Sequence, residues 1–284
     1  FSLPRPNLAG LWANTRRAAA QSMQTLAALR RYPSAVLGLA IIVLLIAVSI
    51  YTIVAIPYDE AVALWRGEGS VWDRNPSAAL PAWVNVFRRD DLPPTFTFDS
   101  TSQSTAKNVV ELEGGLRDLT IPFTFEYDYA GFPQEIIVDL VAPYEERGPH
   151  VTLIWLWPDG RERELTSFRS NPRQTYFVSR DDRLQRRLDN ERPLQALFLP
   201  EEGQNAEPLS GTYTLLVDAL LFEPDTDVDV TVTMVGQVHG LAGTDSQRRD
   251  LMVALLWGAP VALGFGLIAA FATSVGGMLF AALG

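Results

Sequence analysis

The sequence predicts an α-helical membrane protein with an inserted all-β, β-sandwich-like domain on the extracytoplasmic side. Three observations predict this fold class. Two long apolar segments lie near the ends of the 284-residue chain, and all 33 acidic residues lie between them. The acidic region also contains several short runs of β-branched and aromatic residues separated by turn residues, a pattern typical of antiparallel two-sheet domains.

The first predicted region, residues 1–31, is a basic and partly amphipathic arm. Its charged residues are all arginines: Arg5, Arg16, Arg17, Arg30 and Arg31. Because arginine-rich segments beside a membrane helix are retained in the cytoplasm, we expect the arm to be cytoplasmic. There it can lie along the anionic inner leaflet.

Residues 32–57 are predicted to form transmembrane helix 1. The segment from Tyr32 to Ile56 contains no charged residue, and a helix rising about 1.5 Å per residue over this length spans the roughly 30 Å hydrocarbon core. Pro33 and Pro57 mark its ends. A cleaved signal peptide is the alternative, although the apolar run is long for one and the arm before it is extended.

Residues 58–238 are predicted to form the extracytoplasmic strand-rich domain. The region 59–250 contains all 33 acidic residues and 18 of the 23 basic ones, a formal charge of −15. In the last predicted strand, apolar residues from Val228 to Met234 alternate with polar ones, as in a half-buried strand. The predicted strands are 119–127, 135–141, 151–157, 161–166, 211–221 and 226–235, with one helix at 179–188.

The domain shows no pattern typical of catalysis or metal binding. Asp225, Asp227 and Asp229 superficially resemble a calcium loop, but the glycine and closing glutamate of an EF-hand are absent. His150 and His239 have no second ligand at metal-binding spacing, and the chain has no cysteine, which excludes disulfides and thiolate zinc sites. We therefore expect no enzyme activity, and the domain's negative charge argues against binding nucleic acid.

Residues 257–284 are predicted to form transmembrane helix 2. Small residues recur at every fourth position, which lets helix backbones approach closely in a membrane. We expect this face to pack against other helices; the alternative is a generic alanine-rich span. The predicted packing residues are Gly258, Ala262, Gly266, Ala270 and Ser274, with Gly277 on the adjacent row.

Residues 239–256, a predicted surface motif and short helix, carry the one specific resemblance. The segment His239-Gly-Leu-Ala-Gly-Thr-Asp-Ser-Gln-Arg-Arg-Asp-Leu251 precedes Leu255-Leu-Trp-Gly-Ala259. It resembles the inner-membrane permease subunits of dipeptide/oligopeptide-type ABC importers, in which H-x-L-G-T-D-x-x-G-R-D precedes L-x-x-L-x-x-G-A and the transport core. The matching residues are Gly243, Thr244, Asp245, Arg249, Asp250, Gly258 and Ala259. Arg248 replaces the family's glycine, and Ala242 is an insertion.

The resemblance implies a structural role for these motif residues at the periplasmic mouth of a translocation path, in the bacterial inner membrane. We expect Thr244 or Asp245 to cap a helix that starts near Ser246. The implied partners are a homologous permease subunit, two ATPase subunits, an extracytoplasmic solute-binding protein and membrane lipid. No cofactor is expected in this chain, since ATP and Mg²⁺ would bind the ATPase subunits, and transport would proceed by alternating access.

Two other functions remain open from the sequence. The family has further membrane helices and a cytoplasmic coupling helix after this region, so the chain is expected to be part of a longer protein. Otherwise it is a truncated, permease-derived accessory or scaffold subunit without transport activity. A membrane-tethered sensor or adhesion domain is the third hypothesis.

Overall fold

The computed structural model describes residues 32–66, 72–102, 106–188, 192–200 and 207–283. The predicted cytoplasmic arm, residues 1–31, lies outside the described residues. The chain divides into two compact units. One contains the residues up to Ala61 together with those from Ala254 onward, and the other is Val62–Val253.

Among the described residues, two helices are long and apolar enough to cross a membrane. They are α1, Pro33–Ala55, and α5, Leu251–Leu283. Proline at the first position of α1 suits a helix start, whereas Pro260 lies inside α5. The most apolar stretch of α1 is 11% buried and that of α5 is 0% buried, so the apolar side chains of both helices are largely exposed.

Side chains from α1 and the start of α5 meet in the first unit. The Thr52 hydroxyl, fully buried, lies 2.8 Å from the Val48 carbonyl oxygen and 3.3 Å from the Leu256 carbonyl oxygen. The rings of Tyr58 and Trp257 pack edge to face, with 5.5 Å between their centroids. Tyr58 begins a short helix, α2, Tyr58–Arg66.

The second unit contains two antiparallel sheets. A four-stranded sheet has the order β1-β9-β4-β7, and a five-stranded sheet has the order β2-β3-β8-β5-β6. The strands are β1 Phe96–Asp99, β2 Asn108–Glu111, β3 Arg117–Tyr127, β4 Glu135–Val141, β5 His150–Leu156, β6 Glu162–Arg169, β7 Arg173–Phe177, β8 Gly211–Leu221 and β9 Asp229–Val235. Two short helices, α3 Asp182–Arg187 and α4 Pro193–Ala196, lie between β7 and β8.

One hydrophobic cluster joins the inner faces of both sheets and the connection before β8. Its centre is aromatic. The Trp155 ring is fully buried against Phe125, Phe198 and Tyr213, at centroid distances of 5.4–5.9 Å. Its Nε1–H donates to the Leu197 carbonyl oxygen at 3.0 Å, so the large side chain is buried without losing its hydrogen bond. The predicted β-sandwich-like architecture is therefore confirmed.

The structure differs from the sequence prediction at several elements. Three strands were missed, namely β1, β2 and β7. The predicted helix 179–188 is shorter, and Asp181 caps it by accepting hydrogen bonds from the backbone N–H groups of Arg183 and Leu184. The last predicted strand begins at Asp229 rather than at position 226. Its apolar residues Val228, Val230, Val232 and Met234 are buried as predicted, but Thr233, which the alternation puts on the exposed face, is buried as well.

Candidate functional site

The motif residues 239–251 bind side by side with residues 73–83; we call this hydrogen-bonded pair of segments the joint. Thr244 lies at its centre and is 4% exposed. Its hydroxyl donates to the Pro76 carbonyl oxygen at 2.6 Å and accepts from the Ala79 N–H at 3.0 Å. Its own backbone N–H donates to the Ala79 carbonyl oxygen at 3.1 Å. Thr244 thus connects segments 168 residues apart.

Backbone hydrogen bonds continue the joint on both sides of Thr244. Ala78 donates to the Asp245 carbonyl oxygen at 2.8 Å, and Ala82 donates to that of Gly240 at 2.9 Å. At the far end, the first residue of α5, Leu251, donates to the Gly243 carbonyl oxygen at 3.1 Å. The joint therefore fixes the start of α5 to the segment that precedes the β-domain.

Asp245 and Arg249 form an ion pair inside the joint. The guanidinium lies 2.6 Å from the carboxylate and 3.9 Å from the centroid of the Trp65 ring. Partial burial raises the pKa of Asp245, but hydrogen bonds from the Arg249 side chain and backbone outweigh this effect and lower it. Asp245 is therefore a fixed anion that organises the turn, since its carboxylate also accepts from the Gln247 N–H.

The predicted helix start near Ser246 is wrong. Residues 244–250 form a turn closed by a bridge between Thr244 and Asp250, and the helix begins at Leu251. The capping residue is Asp250, whose carboxylate accepts from the Met252 N–H at 2.8 Å, as expected for a helix N-cap. Thr244 and Asp245 make their hydrogen bonds within the joint instead.

Two positions of the motif have left-handed backbone conformations. Gly243 has φ +74°, and a Cβ there would collide with the Ala79 carbonyl oxygen, so only glycine fits. Arg248 has φ +66°, a conformation that costs a non-glycine residue about 1–2 kcal/mol. In the peptide-importer permeases that this segment resembles, the matching position is a glycine. A glycine would have the least backbone strain in this conformation.

Arg248 makes contacts that a glycine could not make. Its guanidinium donates to the carbonyl oxygens of Asp73, at 2.8 Å, and Asn75, at 3.2 Å. The Asn75 side chain in turn donates to the Arg248 carbonyl oxygen at 3.2 Å. These hydrogen bonds offset the backbone strain and add a further link across the joint.

The predicted packing residues all lie on the single helix α5. A Cβ added at Gly258, Gly266 or Gly277 would have no other described atom within 4 Å, apart from the backbone of the helix itself. The hydroxyl of Ser274 donates to the Ala270 carbonyl oxygen at 2.7 Å, which satisfies this polar group inside the helix itself. Within the described residues, Ala259 and Ala262 also lie on this helix, and whether the row binds another helix stays a prediction.

Two of the three aspartates that resemble a calcium loop form ion pairs with a lysine. Lys107, the only lysine in the chain, lies 2.9 Å from Asp227 and 2.7 Å from Asp229. Partial burial disfavours its charge, but the hydrogen bonds to both carboxylates outweigh this and raise the pKa of Lys107. In the described part of the chain, no group of three or more acidic or histidine side chains could hold a metal ion.

Asp225 instead lines an acidic cavity of about 470 Å³ together with Glu145, Glu146 and Glu223. The Glu223 carboxylate accepts hydrogen bonds from the backbone N–H groups of residues 145–147 at 2.6–2.9 Å. These bonds lower the pKa of Glu223 to about 2. Because its carboxylate oxygens accept these hydrogen bonds, we interpret Glu223 as a residue that fixes the conformation of the loop at residues 145–147.

A polar row on the outer face of the five-stranded sheet was missed by sequence reasoning. Asp218 pairs in register with Thr120 and Thr152, and Asp118 lies on the same face two residues along β3. Burial, and then the neighbouring Asp118 carboxyl, raise the pKa of Asp218 to about 6. The sequence analysis singled out neither aspartate. Both alternate with buried residues of β3 and β8, but no local pattern shows that the two carboxyls share one patch.

The two histidines have separate roles. His150 continues the polar row, with its Nε2 2.8 Å from the Ser167 hydroxyl. His239 lies in the joint, with its Nε2 3.9 Å from the Asp250 carboxylate. Each histidine therefore has one polar neighbour among the described residues, a hydroxyl for His150 and a carboxylate for His239.

No protein-family model matches the sequence, and no curated protein matches it. Among solved structures, the chain is similar to TmCBM61 in complex with beta-1,4-galactotriose, at 11% sequence identity. The similarity covers 53% of this chain and 91% of that one, with a TM-score of 0.24. A likeness this weak carries no conclusion about fold or ligand, so the two-sheet description rests on the strand pairing.

Proposed function

We propose that the chain is a membrane-spanning permease subunit of an ABC importer for peptides or related small solutes. The observation that carries this proposal is the joint. Its residues Gly243, Thr244, Asp245, Arg249 and Asp250 are the ones that carry the resemblance to peptide-importer permeases. All five work together as one structural unit at the start of the apolar helix α5.

The proposed membrane arrangement follows from the apolar surfaces of α1 and α5. Large apolar side chains along both helices are exposed, including Val54 at 77% and Phe280 at 81%. Exposing this much apolar surface to water is unfavourable, whereas a bilayer covers it. The arginines before α1 favour a cytoplasmic N-terminus, which puts the β-domain outside the cytoplasm and returns α5 inward.

In this proposal the joint transmits force rather than binding substrate. Alternating access requires the membrane helices to move as rigid bodies, and a helix can only move a neighbouring domain when the connection between them is stiff. The buried hydroxyl of Thr244 and the ion pair of Asp245 with Arg249 supply that stiffness. The β-domain is then positioned to contact a solute-binding protein or a partner permease.

The test uses a membrane complex purified from its native source through a tag on this chain. After reconstitution into nanodiscs, ATP hydrolysis is measured with and without peptide-loaded solute-binding protein. We expect a second permease and an ATPase in the complex, and hydrolysis stimulated by the loaded binding protein. A complex without an ATPase, or hydrolysis that no peptide or small solute stimulates, would contradict the proposal and favour the accessory subunit.

The joint supplies a matched pair of variants for the same assay. Thr244→Ser keeps the hydroxyl that bonds Pro76 and Ala79, whereas Thr244→Val removes it and leaves two buried backbone groups without this partner. If the joint couples the β-domain to α5, the valine variant loses stimulation while the serine variant retains it. Equal stimulation in both variants would show that the joint has no part in coupling.

A further inference from the structure

At one end of the joint, the β-domain unit has a group of exposed apolar side chains that are not part of its hydrophobic core. We call this group the apolar tip. It lies on the 3₁₀ helix Ala82–Phe87 and on the adjacent motif segment. The side chains are Trp83, Val86, Phe87 and Leu241, which are 50%, 80%, 82% and 69% exposed. Single exposed apolar residues are ordinary, but a contiguous apolar group generally marks a contact surface.

The backbone beneath the tip is firmly held, so the exposure is not a consequence of a loose loop. The Trp83 Nε1–H donates to the Leu241 carbonyl oxygen at 3.0 Å, joining the two segments of the tip. The Asn85 side-chain amide donates to the Leu92 carbonyl oxygen at 2.9 Å, and its Oδ1 accepts from the Leu92 N–H at 3.2 Å. Trp83 and Phe87 pack edge to face at 6.2 Å. The apolar side chains are therefore presented outward by a pre-ordered turn.

We propose that the apolar tip inserts into the lipid interface on the same side of the membrane as the β-domain. The inference rests on the membrane-spanning part of the proposed function, and adds a second attachment of the β-domain to lipid. Tryptophan and phenylalanine on a short turn, followed by Arg88 and Arg89, have the chemistry of an interfacial segment, with apolar rings in the headgroup region and charges in water.

The place of the tip in the chain favours lipid over a protein partner. Leu241 is two residues from Gly243, whose carbonyl oxygen accepts a hydrogen bond from the first residue of α5, Leu251. The tip is thus next to the point where the chain enters the predicted membrane helix. The region 59–250 has a formal charge of −15, which repels it from an anionic leaflet, so the proposed attachment depends on apolar insertion and not on electrostatic attraction.

The experiment uses the cysteine-free chain in phosphatidylcholine/phosphatidylglycerol nanodiscs, with one cysteine introduced at a time and a nitroxide attached. Collisions with oxygen, which is enriched in lipid, and with a water-soluble nickel complex report the depth of each label. The test position is Val86→Cys. The matched control is Val110→Cys, an equally apolar residue that is 56% exposed on β2. The lipid control is Val275→Cys on α5.

Val110 is a suitable control because of its position in the sheet. It pairs with Asp118, nine residues along β3 from Tyr127. At about 3.3 Å per residue this is roughly 30 Å from the Tyr127 end of the strand. The Tyr127 end of the strand is near the segment that follows the tip. The Tyr127 hydroxyl donates to the Gly131 carbonyl oxygen, and the N–H of the neighbouring Ala130 donates to the Asp91 carbonyl oxygen, four residues after Phe87.

We expect the Val86 label to favour oxygen over nickel at a depth of about 5–10 Å below the phosphates, and the Val110 label to favour nickel. Three outcomes overturn the inference. A Val86 label as open to nickel as the Val110 label leaves the tip in water. A Val86 label shielded from both reagents is covered by protein, either a second copy or a partner. If the Val275 label itself is in water, the membrane-spanning proposal fails as well, so the two failures are distinguishable.

Discussion

The β-domain and the two long helices contain the same kinds of apolar residue but present them in opposite directions. Phe123 in β3 is 2% exposed, whereas Phe271 in α5 is 72% exposed. In the β-domain, each apolar face is covered by the facing sheet, so its burial is complete within the chain. The large apolar side chains along α5 are exposed among the described residues. Hydrophobic content alone therefore does not predict which apolar residues are buried within the chain.

The comparison is tested most strongly by removing one ring from each region. Trp155→Ala removes a fully buried side chain and a hydrogen bond from the centre of the core. We expect it to lower the free energy of unfolding of the β-domain by about 3–5 kcal/mol. Phe271→Ala in α5 is the control, and we expect no measurable change. Both are measured by urea unfolding of the full chain in detergent micelles, followed by near-ultraviolet circular dichroism.

Equal effects of the two substitutions would contradict the comparison. In particular, a large loss in the Phe271 variant would mean that the α5 surface is packed against the β-domain in the purified chain. No loss in the Trp155 variant would mean that the aromatic cluster is not the centre of the folding core.

A second prediction compares two glycines of the joint, Gly240 and Gly243, which both have positive φ. A Cβ at Gly243 would collide with the Ala79 carbonyl oxygen, whereas a Cβ at Gly240, with φ +48°, would meet open space. Gly240→Ala should cost only backbone strain, about 1 kcal/mol. Gly243→Ala should cost about 2–4 kcal/mol, because the collision adds to the strain.

The measurement is the same unfolding experiment, together with amide hydrogen exchange of Ala78 and Thr244, whose N–H groups bond across the joint. Faster exchange of both amides is expected in the Gly243 variant only. Equal exchange rates in the two variants would show that the close approach of the two segments is not important.

Arg248 separates backbone strain from side-chain bonding. Arg248→Ala keeps the strained φ of +66° and loses both guanidinium hydrogen bonds, so we expect a loss of about 1–2 kcal/mol. Arg248→Gly loses the same bonds but also relieves the strain, and should be about 1 kcal/mol more stable than the alanine variant. A glycine variant less stable than the alanine variant would contradict a left-handed conformation at this position.

The smallest expected effect is a pH dependence from the polar row. The pKa of Asp218 is raised to about 6, above its value in the unfolded chain. The native state therefore holds its proton more tightly, and stability falls as the pH rises from about 4 to about 6. Asp218→Asn should leave stability unchanged near pH 4 and raise it on the order of 1 kcal/mol above pH 7, after allowing for solvent screening.

The groups facing Asp218 set the control for this titration. Asp118 is the charged neighbour on β3, and Thr120, Thr152 and His150 complete the same face. The Asp118→Asn variant should lower the pKa of Asp218 while leaving a buried carboxyl to titrate. A pH profile of stability identical to that of the unmodified chain in both variants would contradict a shared acidic patch.

The sequence predicted the strands that carry the core, because they are runs of β-branched and aromatic residues separated by turn residues. Strands β4 and β8 agree with the prediction at both ends. The missed strands lie at sheet edges or next to prolines. All four residues of β2 are exposed and show no alternation, and β1 follows Pro93 and Pro94. These segments become strands because a neighbouring strand pairs with them, not because of their own pattern.

At the candidate site, the sequence singled out motif residues that lie in the joint, but it did not predict what they contact. Gly243, one of these residues, has a left-handed backbone conformation. The partners of Thr244, Pro76 and Ala79, are separated from it by more than 160 residues, and no local pattern contains such a contact. The helix cap was wrong for the same reason, since Thr244 is engaged across the joint and Asp250 is free to cap.

The central claim is that the β-domain lies outside the cytoplasm while α5 lies in lipid, and labelling in intact cells tests it most directly. Because the chain has no cysteine, Thr124→Cys on the outer face of β3 and Val275→Cys on α5 can each be exposed to a membrane-impermeant maleimide. The account predicts that position 124 reacts fully in intact cells and that position 275 reacts only after denaturation. Reaction of position 124 only after the cells are permeabilised would contradict it.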